Sequence, residues 1–154
     1  MDRAEADRAV KGLGEALEIA NLSLDEGGRC RLSIDGGAVV VDLGHDPASG
    51  VIELAAALPA ADPVEAQLAR LLRANFNWRG TEGATFAIEP ESGALVLQRR
   101  LTASEVDNGG LTAALEALVA AAASWAGQLS EGGSDPAAPA ADEPTPPSFR
   151  IIRP

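Results

Sequence analysis

Two hydrophobic periods divide this chain, and their order limits the fold more than any other feature. Over residues 29–58 and 84–101 apolar side chains recur mostly at every second position, whereas 2–20, 62–76 and 107–129 repeat every three to four. A period of two is the mark of a strand and a period near 3.6 the mark of a helix. Cys30, Leu32 and Ile34 alternate with Arg29, Arg31, Ser33 and Asp35, which reads as a half-buried strand. Asp35-Gly36-Gly37 then carries the Asp-Gly hairpin signal. Residues 38–43 and 51–58 form the next two strands, separated by a loop at 44–50 and closed by Pro59. A second hairpin joins 84–89 to 94–101 across Pro90-Glu91-Ser92-Gly93.

Three helices punctuate these strands. Ala6, Val10, Leu13, Leu17 and Ala20 predict a helix over 2–20, in which Gly12 and Gly14 each cost about 1 kcal/mol against Ala. Asp62-Pro63-Val64-Glu65 combines a cap, a first-turn proline and a capping box, opening a helix that runs to about Asn75. Its stripe is Val64, Leu68, Leu71, Leu72 and Phe76. Asp107 or Asn108 opens the last helix, with Leu111, Leu115, Leu118, Ala122, Trp125 and Leu129 on one side. The result is an α-β-β-β-α-β-β-α domain over 1–129, an α+β fold with a twisted, mainly antiparallel sheet. Residues 130–154 hold six of the ten prolines and predict a flexible acidic tail ending in an apolar-basic segment.

Charge and residue inventory narrow the function. The chain has 12 basic and 23 acidic residues, a net of −11, with 19 of the acids before residue 130. Such a surface disfavours nucleic acid and anionic membranes, whose binding depends on Lys and Arg. No run approaches the roughly 18 apolar residues of a membrane span, and the charged N-terminus does not resemble a signal peptide. One cysteine makes no internal disulfide, which fits a reducing, cytoplasmic setting. Against 31 alanines stand only three Phe and two Trp. Alanine buries little area, so a monomer's core is modest and a dimer would add burial.

Catalytic groupings are weak. His45, the single histidine, shares the 44–50 loop with Asp46 and Ser49, and no Gly-x-Ser-x-Gly elbow exists, so it reads as a solvated loop residue. Asp42, Gly44, Asp46 and Glu53 mimic calcium-loop spacing, but Pro47 stands where the sharp turn needs Gly. Cys30 reads as a buried structural thiol, without a second ligand at metal spacing. Neither a catalytic residue, a metal site nor a cofactor is expected. What stands out is strand surface that is apolar on both faces. Two or three helices do not obviously cover both, and exposed apolar surface marks a protein-binding site.

One resemblance runs through the domain. The stretch from Leu22 to Gly36 resembles the first sheet region of class I type III secretion chaperones, the Tir-chaperone (CesT-like) family. Leu58-Pro59-Ala60, the helix ending Leu71-Leu72-Arg73-Ala74-Asn75-Phe76, Thr81 to Thr85, and Ala87 to Leu97 continue it in order. The last helix adds Leu111, Leu115, Leu118, Val119 and Trp125, so the likeness spans about residues 10–129. It implies a cytoplasmic homodimer that holds the N-terminal chaperone-binding segment of a secreted effector in extended form. Its partners would be the effector, the secretion apparatus and that apparatus's ATPase or sorting components. An alternative within the fold is a binding protein that sequesters a regulator of secretion.

On that resemblance, effector grooves are assigned to Leu13, Leu17, Leu22, Leu24, Leu32, Ile34, Val39 and Val41. The dimer interface is assigned to Leu68, Leu71, Leu72, Phe76, Trp78, Phe86 and Ile88. The tail lies outside the family pattern; Phe149, Ile151 and Ile152 are its candidate docking residues, able to fold back into the chaperone's own groove.

Overall fold

A computed structural model describes residues 1–58, 65–78, 80–130 and 149–151. Helix α1 (Arg3–Ala16) opens with a reciprocal cap. The Glu5 amide donates to the Asp2 carboxylate at 2.8 Å, and the Asp2 amide donates to the Glu5 carboxylate at 2.6 Å. Asp2-Arg3-Ala4-Glu5 is a legible capping box, and the pattern reading passed over it. The helix buries Ala6, Val10, Leu13 and Gly14. It stops short of the expected residue 20. The Ile19 amide bonds to the Gly14 carbonyl at 2.8 Å, and Glu18 and Asn21 take left-handed backbone angles. Gly14 makes this return possible. A Cβ there would stand 2.7 Å from the Leu22 Cβ, so only glycine lets the returning chain come so close.

The sheet has the order β4-β5-β3-β2-β1-β6, with every pair antiparallel. Its strands are β1 (Arg29–Ile34), β2 (Val39–Asp46), β3 (Val51–Ala57), β4 (Thr85–Ile88), β5 (Leu95–Leu101) and β6 (Phe149–Ile151). The hairpin of β1 and β2 turns through Asp35–Gly37, where Gly36 has φ 69°. Strand β2 runs three residues past its expected end, because it pairs with β3 as far as Asp46 opposite Val51. That corrects the reading of His45. It lies in β2, is 8% exposed, and its Nε2 sits 3.2 Å from the Met1 carbonyl. The N-terminus covers it, since the Met1 ammonium donates to the Gly50 carbonyl at 2.7 Å.

Helix α2 (Glu65–Asn75) ends where expected; the Asp62-Pro63 cap lies outside the described residues. A short helix α3 (Ala103–Val106) and a turn at Asp107–Gly109 lead into α4 (Gly110–Ser130). Helix α4 packs on β2, β3 and β5 and buries nine side chains, from Leu111 to Leu129. By length and composition α4 could cross a bilayer, contrary to the reading of the sequence. In the fold, its leucines and Trp125 are spent on the sheet instead.

Register explains which residues form the core. Leu32, Val41, Ala56, Leu97 and Phe86 lie in one cross-strand row and are all buried under the helices. The opposite face is not the apolar surface expected. Arg31 makes two bonds to Asp42 across the β1–β2 pair, at 2.6 and 2.8 Å. Arg100 meets Glu53 at 3.0 Å and Asp46 at 3.5 Å. Beside these pairs sit smaller residues, among them Ala55, Ala57 and Val96, so the face is solvent-compatible despite its aliphatic composition. Such exposed pairs add at most about 1 kcal/mol each, and their main effect is to keep this face wet.

The tail contributes a strand where none was expected. Its β6 pairs with β1, placing Phe149 opposite Ile34, Arg150 opposite Ser33 and Ile151 opposite Leu32. Residues 131–148 and 152–154, including Ile152, lie outside the described residues.

Two expectations follow. Gly12 is exposed and a Cβ there would meet nothing within 4 Å, so Gly12→Ala should stabilise the chain by about 1 kcal/mol in urea unfolding. Gly14→Ala should instead destabilise it; equal gains from both substitutions would refute this account of the α1 return. The second concerns Cys30, half-buried and free. Burial first, then Asp25 and Asp42, push its thiol up to about 11. An unfolded thiol ionises sooner, so the stability held below the unfolded value should fall as pH rises towards 11. With no Tyr and one Lys, few other groups titrate there. Cys30→Ala should flatten that decline in unfolding curves taken between pH 8 and 11.

Candidate protein-binding surfaces

Trp125 organises one end of the sheet. Its ring meets Phe86 edge-on, with centroids 4.9 Å apart, and the Arg70 guanidinium carbon lies 5.1 Å from its centroid. Its indole N–H donates to the Gly80 carbonyl at 2.7 Å. Helix α2 is tied to α4 through Gln67, which donates to the Leu129 carbonyl at 3.3 Å, and through Arg70, which donates to Gln128. At the end of α2, Asn75 acts as a piece of strand. Its Oδ1 accepts from the Phe86 amide at 2.8 Å and its Nδ2 donates to the Phe86 carbonyl at 3.3 Å.

Large apolar side chains emerge from this frame. Among the described residues, the exposed ones are Leu72 (69%), Phe76 (77%), Trp78 (54%) and Ile88 (52%). All four belong to α2, the turn Phe76–Trp78 and β4, elements that pack on one another. The turn reverses sharply, with Asn77 at φ 60° and Trp78 at φ 51°. Trp78 is held by its indole N–H, which donates to the Thr85 hydroxyl at 3.1 Å. These four come from the set assigned to a dimer interface. Of the remaining three, Leu68 is half-buried while Leu71 and Phe86 are buried within the chain. Leu71 and Leu72 are neighbours on a helix, so one points inward and the other outward; stripe-reading joined them.

The eight residues assigned to effector grooves fall differently. Leu13, Leu22, Leu24, Leu32, Ile34, Val39 and Val41 are buried in the chain's own core, and Leu17 is half-buried. Two open grooves flank α1. One, of about 790 Å³, runs between α1 and the 18–24 segment, with Leu22 and Leu24 in its lining beside Lys11, Glu15 and Ile19. The other, of about 470 Å³, separates α1 from the start of α4 and includes Leu13, Ala9, Val106 and Leu111. Ile19, absent from the assignment, belongs to the first groove because α1 ends early.

The sheet edges complete the description. Asn75 occupies the outward groups of β4 at Phe86. At the other margin Asp25 occupies Arg29: its carboxylate accepts from the Arg29 amide at 2.9 Å, and its amide donates to the Arg29 carbonyl at 2.8 Å. On the same margin β6 pairs with Leu32, Ser33 and Ile34.

The polar side chains around Asp46 are engaged in their own turn. Ser49 donates to Asp46, which also accepts from the Ala48 amide at 2.9 Å; these bonds hold the Asp46 carboxyl below the usual range. His45 is turned to Met1 instead. Among the described residues no group of three or more His, Cys, Asp or Glu is placed to hold a metal ion.

Comparison with known proteins addresses the fold and the family. Two solved structures share the fold. The ExsC–ExsE complex matches with a TM-score of 0.72 at 24% identity, covering 84% of this chain and 97% of that one. The HopA1–SchA chaperone–effector complex matches with a TM-score of 0.69 at 18% identity, covering 84% of this chain and 96% of that one. No curated protein sequence matches. The Tir chaperone protein (CesT) family model matches residues 8–126. With this match along most of its length, the chain belongs to the Tir chaperone protein (CesT) family, a family of non-enzymatic chaperones, and is a type III secretion chaperone.

Proposed function

We propose that this chaperone acts as a homodimer in the bacterial cytoplasm. There it holds the N-terminal chaperone-binding segment of a secreted effector in extended form. The segment stays soluble and export-competent and is passed to the secretion apparatus, where an ATPase or sorting component receives it. Family membership over residues 8–126 is the observation that carries this reading. One structural neighbour is itself a chaperone–effector complex.

The physics of the surface supports each part. Burying a side chain of the size of Leu72, Phe76 or Ile88 yields about 1.5–3 kcal/mol, so four such residues in water favour a second copy. An extended effector segment has no core of its own and pays its ordering entropy on binding. The groove between α1 and residues 18–24 offers apolar lining from Leu22, Leu24 and Ile19. Leu32, Ile34, Val39 and Val41 serve this role indirectly, by building the sheet under the groove. The net charge of −11 keeps the exposed apolar surface from promoting aggregation.

Light scattering on the purified chain should give twice 15.7 kDa. Phe76→Asp combined with Trp78→Asp should return the mass to 15.7 kDa while far-UV circular dichroism stays unchanged. Wild-type protein captured from a bacterium running type III secretion should carry a secreted protein bound through its N-terminal region. A monomeric wild type, or a capture that brings no secreted protein, would refute the respective half of the proposal.

A further inference from the structure

A sheet of this kind has two margins, and this chain treats them unequally. On the β4 margin both outward groups of Phe86 are taken by Asn75, with Ile88 as the remaining outward position of that strand. On the β1 margin only Arg29 is closed in this way, by Asp25. In an antiparallel strand the outward-facing groups recur at every second residue. The next outward positions after Arg29 are therefore Arg31 and Ser33, and among the described residues of 1–130 no strand pairs with them. An open edge of this sort takes up any extended segment that reaches it.

Strand β6 fills that position. Its register continues the pleat of the domain. Positions 149 and 151 stand opposite Ile34 and Leu32, whose row is the core row of the sheet, while Arg150 stands opposite Ser33 and is exposed. Main-chain pairing with apolar residues at alternate positions is how an added peptide strand is recognised. The tail thus carries the pattern of a ligand: apolar, basic, apolar. It is also a short one. Pro146 and Pro147 precede it and Pro154 follows, and proline donates no ladder hydrogen bond, so the pairing cannot lengthen far in either direction. Residues 149–151 lie outside the 8–126 span that the family model matches.

We propose that β6 is a built-in occupant of the β1 edge, and that the extended segment of the secreted partner takes this edge by displacing it. The inference rests on the effector-holding function proposed above. A tethered strand competes at an effective concentration of about millimolar, so it shields the edge without any affinity beyond three residues of pairing. A partner segment that adds groove contacts along α1 to the same edge pairing displaces it. A bare edge between encounters would invite strand-to-strand aggregation, and the tail prevents this.

The test uses the full-length chain with Arg150→Pro, which removes the N–H opposite Ser33 at an exposed position. Arg150→Lys, which keeps both N–H and charge, serves as the control. In hydrogen exchange, the amide of Ser33 should exchange at least tenfold faster in Arg150→Pro than in wild type or Arg150→Lys, with β2, β3 and β5 unchanged. A labelled synthetic peptide of residues 145–154 should bind Arg150→Pro at least tenfold more tightly than wild type in fluorescence anisotropy. Saturating peptide should restore the slow exchange. Equal exchange in all three proteins would overturn the proposal, and so would equal peptide affinity or no binding to any of them. No effector enters these measurements, so they are separable from the capture experiment. An effector recovered by wild type alongside unchanged exchange in Arg150→Pro would refute the tail's role and leave the chaperone function standing.

Discussion

The fold depends on α4 covering one face of the sheet and leaving the other to water. Nine of its side chains are buried, and the helix packs on the three central strands β2, β3 and β5. One helix has only one sheet-facing side, so the second face must be made soluble by other means. Paired charges do this: Arg31 with Asp42, and Arg100 with Glu53 and Asp46. Their contribution to stability is small, as for exposed ion pairs in general. Their importance is that the protein's sticky surface is confined to α2, the turn after it and β4.

That confinement has a structural cause in Trp125. The ring fixes Phe86 below, Arg70 above and Gly80 at its N–H, so α2 and β4 are docked against α4 and against each other. Phe86 and Leu71 are consumed in this docking, and Leu72, Phe76, Trp78 and Ile88 remain outside.

The margins of the sheet follow a similar logic. Backbone amides and carbonyls must be paired or wet, and each margin solves the problem with a nearby side chain: Asn75 on β4, Asp25 on β1. Neither solution reaches the whole of β1, and the tail strand pairs with what is left. The same edge that makes strand addition available thus makes its regulation by the chain's own end available too.

Much of this was legible in the linear sequence. The switch between periods of two and three to four separated strands from helices, the Asp-Gly-Gly turn located the first hairpin, and the scarcity of His and Cys excluded most catalysis. These are local properties, set by neighbours within a few residues. Gly14 was visible only as a helix weakener, because its real partner, Leu22, reaches it through a turn that periodicity does not describe. His45 was placed in a loop because strand length depends on the partner strand, not on the strand itself. Leu32 and Leu72 look alike in any hydropathy pattern, yet one is wholly buried and the other mostly exposed. Fold class and the order of the main elements before the tail belong to the sequence alone. The division between core and surface, and the choice of which edge stays open, arise only when segments far apart in the chain are brought together, because burial is a relation between two surfaces and not a property of either.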